Sequence, residues 1–232
     1  MAQTPDINET FLREVDENLR RDRLRDLFRD NLSLIIAAVV LFLAVAGGLI
    51  WWQQHKVDLA AQHGEQLSSI YRDIASGNVT TAPKQLDELS KSSSKAIRAS
   101  AEFTSAAVDV QKDDNKSALE KYRALAADDS LPQAYRDAAL VRQTAMEFDQ
   151  LKPEEVIARL QPLASPGKAW FGSAGEMTGL ALIKQGKNAE AGRLFASIAK
   201  DKDVPQTLRD RAVQIAGSLG VDASSALAPQ AQ

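Results

Sequence analysis

The sequence predicts an all-α protein: one membrane-spanning helix near the N-terminus, then an array of helix pairs. Three observations carry this. Residues 32–52 (LSLIIAAVVLFLAVAGGLIWW) run for 21 positions without a charge or a proline. Beyond residue 53 the chain is rich in alanine and leucine, with glutamine and lysine frequent, a composition that favours helix. The chain also aligns with itself at a shift of 73 residues.

The first element is a cytoplasmic arm, residues 1–31. Phe11, Leu12, Val15, Leu19, Leu24, Leu27 and Phe28 fall at the i, i+3, i+4 spacing of an amphipathic helix. Such a helix lies at the membrane surface or against a partner, or runs as a mixed-charge helix straight into the membrane.

The second element is the transmembrane helix, residues 32–52. At about 1.5 Å per residue it covers roughly 31 Å, the thickness of a bilayer core. A cleaved signal sequence has a shorter apolar region of about 7–15 residues. Here a mostly polar stretch of 31 residues precedes the run, and Trp51 and Trp52 close it where a polar mature start would stand. Paired tryptophans suit the membrane–water interface. Arg13, Arg20, Arg21, Arg23, Arg25 and Arg29 precede the run, against Lys56 and Arg72 just after it. The positive-inside rule therefore holds the N-terminus in the cytoplasm and exports the rest. Ala44 and Gly48 form a small-xxx-small pair able to pack on a neighbouring membrane helix.

Residues 53–220 form the third element. Pro132, Pro153 with Glu154 and Glu155, and Pro205 each read as a helix start, and Gly186-Lys187-Asn188 as a stop followed by a new start. In the self-alignment, 115–139 (NKSALEKYRALAADDSLPQAYRDAA) sits over 188–212 (NAEAGRLFASIAKDKDVPQTLRDRA) without a gap, and nine positions are identical. Proline and the Arg-Asp pair stay in register: Pro132 over Pro205, Arg136-Asp137 over Arg209-Asp210. Half the shift is about 36, near the 34-residue period of tetratricopeptide helix pairs. Ala106, Ala118, Tyr122 and Leu125, and again Gly179, Ala191, Phe195 and Ile198, carry the small, small, aromatic and apolar residues of that repeat. Small residues let the helices of a pair approach, and the aromatic fills the gap to the next pair. The unit at 132–164 fits loosely through Val156, Leu160 and Leu163. An earlier pair spans about 57–76 and 82–91, with serine-rich 90–94 as its exit. Residues 204–219 cap the stack, and 221–232 read as a disordered tail.

In a regular array the groove positions on the first helices are Phe103, Ala107, Val110 and Gln111, then Glu176, Leu180, Ile183 and Lys184. These are the residues expected to meet a partner segment.

Composition narrows the function. The net charge of −3 leaves no electrostatic footprint for nucleic acid. The absence of cysteine removes thiol catalysis and thiolate metal sites, and an exported domain without disulfides relies on packing alone. His55 and His63 are the only histidines, too few for a good metal site. Ser92-x-x-Lys95 spells an acyl-enzyme motif, but no K-T-G or S-D-N follows it. No P-loop, dinucleotide or H-E-x-x-H pattern occurs. The acidic pairs Asp113-Asp114 and Asp128-Asp129 fall at inter-helix turns and read as caps. The expectation is a non-enzyme with no cofactor and no small-molecule substrate.

The layout resembles a known family. An arginine-rich arm (FLREVDENLRRDRLRDLF), a single anchor ending in WWQQ and an exported tetratricopeptide-like domain, together covering about residues 7–219, are similar to the YfgM-type ancillary subunits of the bacterial SecYEG translocon. The resemblance implies a single-pass protein of the bacterial inner membrane, its C-terminal domain in the periplasm. It implies SecYEG and a PpiD-like periplasmic chaperone as partners, and a role in chaperoning exported proteins. A periplasmic repeat scaffold for cell-envelope or division enzymes is the alternative.

Overall fold

The computed structural model describes residues 32–223. The predicted arm, 1–31, and the tail from 224 onward lie outside them. Among the described residues all regular structure is helical. The chain divides between Asp58 and Leu59 into two units.

Helix α1 runs without a break from Leu32 to Ala75, so the predicted anchor and the first helix of the earliest pair are one element. Within the first unit no residue of the most apolar 18-residue window of α1 is buried. At its polar end the Trp51 ring stacks on His55, with centroids 5.6 Å apart and planes 3° from parallel. Lys56 Nζ stands 3.4 Å from the centre of the Trp52 ring.

The second unit contains the rest of α1 and eight further helices: α2 (Ala82–Leu89), α3 (Lys95–Gln111), α4 (Asn115–Ala127), α5 (Gln133–Glu147), α6 (Pro153–Leu160), α7 (Phe171–Lys184), α8 (Asn188–Lys200) and α9 (Gln206–Ser218). They alternate as first and second helices of pairs, with α1, α3, α5, α7 and α9 as the first helices. The core is a row of four small clusters rather than one centre, as stacked pairs require. Leu67, Ile70, Leu86 and Leu89 anchor the earliest cluster. Ala106, Ala118, Tyr122 and Leu125 share the next, as their spacing predicts. Val156, Leu160 and Leu163 hold the loose middle unit, and Phe195, Ile198 and Ala191 the last.

The helix ends explain the period. After α7, Gly186 takes φ +75°, Gly186 N–H donates to Ile183 O and Lys187 N–H to Leu182 O. This is a Schellman stop, which needs a left-handed residue. Gly77 and Gly220 close α1 and α9 the same way. Seventy-three residues before Gly186 stands Asp113, at φ 61°, with Asp113 N–H on Val110 O and Asp114 N–H on Asp109 O. A side chain with a Cβ pays for that conformation. Asp113→Gly is expected to raise stability by about 0.5–1 kcal/mol, read as a higher urea midpoint at unchanged slope.

The shared turn of the two aligned units repeats several of its bonds. Gln133 Nε2 donates to Asp137 Oδ1 and Gln206 Nε2 to Asp210 Oδ1, each at 2.6 Å. Arg136 and Arg209 each reach the glutamine of their own turn. Helix α5 is the exception. It ends without a left-handed residue, and α6 stops after eight residues because Pro162 has no N–H to continue the ladder.

One boundary differs from expectation. The predicted tail starts at 221, yet Ala223 is buried and the Val221 side chain lies against the backbone of Gly192 in α8. Packing on a glycine extends the domain three residues.

Candidate interaction surface

Three of the first helices and the residue ahead of a fourth put aromatic rings on a common face. Tyr71 of α1, Phe103 of α3, Tyr135 of α5 and Trp170 at the start of α7 line a single hollow of about 270 Å³, with Ser100, Thr104, Ala134 and Ala138 between them. Successive members are 32, 32 and 35 residues apart, about one repeat. The hydroxyls are already engaged within the domain. Tyr135 OH shares a 2.7 Å hydrogen bond with Ser100 Oγ, and Tyr71 OH lies 3.3 Å from Thr104 Oγ1. Phe103 is set edge-on against Tyr122, centroids 5.2 Å apart. What the hollow offers is therefore ring faces and methyl groups, with no charged side chain in its wall. Charged segments lose hydration there without gaining a partner, whereas apolar ones gain by burial.

Of the groove positions expected from the sequence, Phe103 lines this hollow. Ala107, Val110 and Gln111 are exposed further along α3. The four on α7 are taken up by contacts between first helices. Glu176 holds Arg211 of α9 through a paired contact, Arg211 Nη2 donating to Oε2 at 2.8 Å. Leu180 and Ile183 are half-buried against the C-terminal cluster. Lys184 sits over the Phe148 ring and 3.4 Å from Asp149. Tyr71, Tyr135 and Trp170 were not foreseen, although their near-constant spacing was visible. In the first unit Ala44 and Gly48 are exposed, with open space beside Gly48.

The most polar junction lies elsewhere. Glu147, at the end of α5, is buried and receives Arg123 of α4, Arg159 of α6 (2.6 Å) and Gln143 (3.0 Å). Burial alone pushes its carboxyl up, but the hydrogen bonds from the two arginines and Gln143 outweigh that and bring it down to about 2. It joins three helices where the repeat pattern fails. Of the acidic turn residues expected as caps, Asp114 caps α4 by accepting from Ser117 N–H; Asp128 instead accepts from Ser130 N–H within the turn, Asp113 holds a left-handed position and Asp129 pairs with Arg136. The bonds from Ser117 and Ser130 hold the Asp114 and Asp128 carboxyls below the usual range.

Ser92 of the S-x-x-K motif lies 2.8 Å from His63 Nδ1, which pairs a potential nucleophile with a base. However, Ser92 is 6% exposed, and its Oγ already accepts from Ser94 N–H. The pair clasps the 90–94 loop to α1. No group of three or more candidate metal ligands occurs among the described residues.

Alternating helix pairs with their first helices on one face define a helical-repeat scaffold, a class that presents surface to other proteins. A model of the tetratricopeptide repeat-like domain family matches residues 25–215, and the protein belongs to that family. Domains of this kind are typically non-catalytic interaction scaffolds. No curated protein and no solved structure matches the chain.

Proposed function

We propose that this is a single-pass, membrane-anchored interaction subunit that works beside the protein-export channel and holds apolar segments of its partners on the aromatic face of its first helices. The observation that carries the reading is the alignment of Tyr71, Phe103, Tyr135 and Trp170 along one uncharged hollow. Anchoring is supported by the apolar stretch of α1, which buries none of its most apolar window, and by the tryptophan pair at its polar end. The family match includes this stretch, so anchor and repeats belong to one unit of descent. The export channel and a periplasmic chaperone enter through the resemblance of the arm and anchor to the YfgM-type subunits. The N-terminus is cytoplasmic and the repeats periplasmic by the arginine asymmetry.

The test is co-purification of the full chain with the Sec channel from detergent-solubilised inner membranes. Recovery is expected, with loss of the channel when residues 32–52 are replaced by an unrelated membrane helix. Recovery of cell-wall or division enzymes instead, indifferent to that replacement, would contradict the reading. The Phe103→Ala, Trp170→Ala double variant is expected to lower affinity for an uncharged apolar peptide about tenfold or more, since each ring contributes on the order of 1 kcal/mol or above. Fluorescence titration of the full chain in nanodiscs measures it.

A further inference from the structure

A second hollow, of about 420 Å³, is walled by α2, α3 and α4 and shares no residue with the aromatic one. Pro83, Leu86 and Ala124 give it an apolar side; Glu102 of α3 and Asp87 of α2 give it carboxylates and Lys121 of α4 an ammonium, and of these three charges Asp87 and Lys121 are already paired, with Lys91 and Asp109. Every cation near that carboxylate is committed elsewhere. Arg98, one turn before Glu102 on the same helix, donates instead to Ser130 Oγ at 2.8 Å and lies 3.8 Å from Asp128. Lys121 is bound to Ser105 Oγ at 2.7 Å and paired with Asp109. Lys91, beyond the rim, is paired with Asp87 at 2.7 Å. Among the described residues no hydrogen bond or ion pair reaches Glu102 itself. Desolvation pushes its carboxyl above the usual range, Arg98 draws it back in part, and Asp128 adds to the rise. A half-buried carboxylate without a partner carries an electrostatic cost that a cation removes.

We propose that this hollow receives an arginine side chain from a partner protein, its guanidinium on the Glu102 carboxylate and its methylene stem against Pro83, Leu86 and Ala124. The pairing suits arginine on two counts. The planar guanidinium meets a carboxylate through two parallel hydrogen bonds, and it is more weakly hydrated than an ammonium. Its stem covers apolar surface while the charge stays at the carboxylate. The inference is independent of the aromatic face. It gives the scaffold a charge-reading contact between its second helices, which an apolar hollow cannot supply.

The experiment uses the full chain in nanodiscs, with alanine and leucine methyl groups labelled for NMR. The probes are acetyl-Ala-Arg-Ala-amide, the same peptide with lysine, and the same peptide with neutral, nearly isosteric citrulline. The arginine peptide is expected to shift the Ala124 and Leu86 methyl signals saturably, with Kd on the order of 1–10 mM, and both citrulline and Glu102→Gln to weaken binding about tenfold. Equal shifts with citrulline, unchanged affinity in Glu102→Gln, lysine binding as tightly as arginine, or no saturable shift would each overturn the proposal. The citrulline comparison is made on the unaltered protein, so it decides the matter even if the variant folds poorly.

Discussion

Glu147→Ala is expected to destabilise the repeat domain by about 3 kcal/mol, because it removes a buried carboxylate that accepts three hydrogen bonds, two of them from arginines. The side chain of Glu147 is 7% exposed, and it alone joins α4, α5 and α6 through Arg123, Gln143 and Arg159. The urea midpoint of the full chain in detergent reads the loss. Asp149→Ala, two residues on, is the internal comparison. Its carboxylate is 94% exposed and stands 3.4 Å from Lys184, so the change is expected to be within about 0.5 kcal/mol. The same carboxylate sets an acid limit. In the folded state it is held down to about 2, well below the 4.5 of an unperturbed glutamate, so the folded state binds the proton less readily than the unfolded chain. The contribution is complete above about pH 4.5 and is lost as pH falls from there towards 2. At about 1.4 kcal/mol per unit, the full contribution is on the order of 3 kcal/mol. Glu147→Gln is expected to flatten stability over that acid range; a variant with an unchanged slope would refute the assignment.

Gly179→Val is expected to cost about 3 kcal/mol or more, as an overpacked core does. A Cβ at Gly179 would stand 2.6 Å from Cε2 of Phe195 and 2.8 Å from its Cζ. The Phe195 ring is 1% exposed and packed within the C-terminal cluster, so it has nowhere to move. Gly217→Ala tests the opposite case. Nothing lies within 4 Å of the position where its Cβ would stand on α9, and the better helix former is expected to add about 0.5–1 kcal/mol. Thermal melts of the two variants side by side should move in opposite directions. If both move together, the close approach of α7 to α8 is misassigned.

The array was legible because packing between paired helices repeats in sequence. Tyr122 and Phe195, and Pro132 and Pro205, hold equivalent positions, and the structure uses them equivalently. Asp113 reads as a cap in the sequence; the structure puts it in the left-handed position that Gly186 holds. The aromatic face was only partly legible. Groove positions extrapolated from the two regular units gave Phe103, but on α7 they gave side chains turned to α9 and to the end of α5. The intervening unit breaks the rule: α5 closes without a left-handed residue and α6 is eight residues long, so the rung that follows is Trp170, ahead of α7, rather than a residue on the helix. Glu147 was invisible for a different reason. Its arginine partners are 24 and 12 residues away, and no period relates them. The continuity of α1 across residue 53 is not legible because hydropathy changes there while helix-forming composition does not.

The direct test of the central claim is photo-crosslinking in intact inner membranes from two positions of the full chain. Ala134 lines the aromatic hollow, while Ala158 is exposed on the second helix α6. A photoreactive residue at 134 is expected to capture subunits of the export channel or exported polypeptides, identified by mass spectrometry, and to lose them when Phe103 and Trp170 are replaced by alanine. The same partners captured equally from position 158, or capture from 134 that survives the double replacement, would contradict the account.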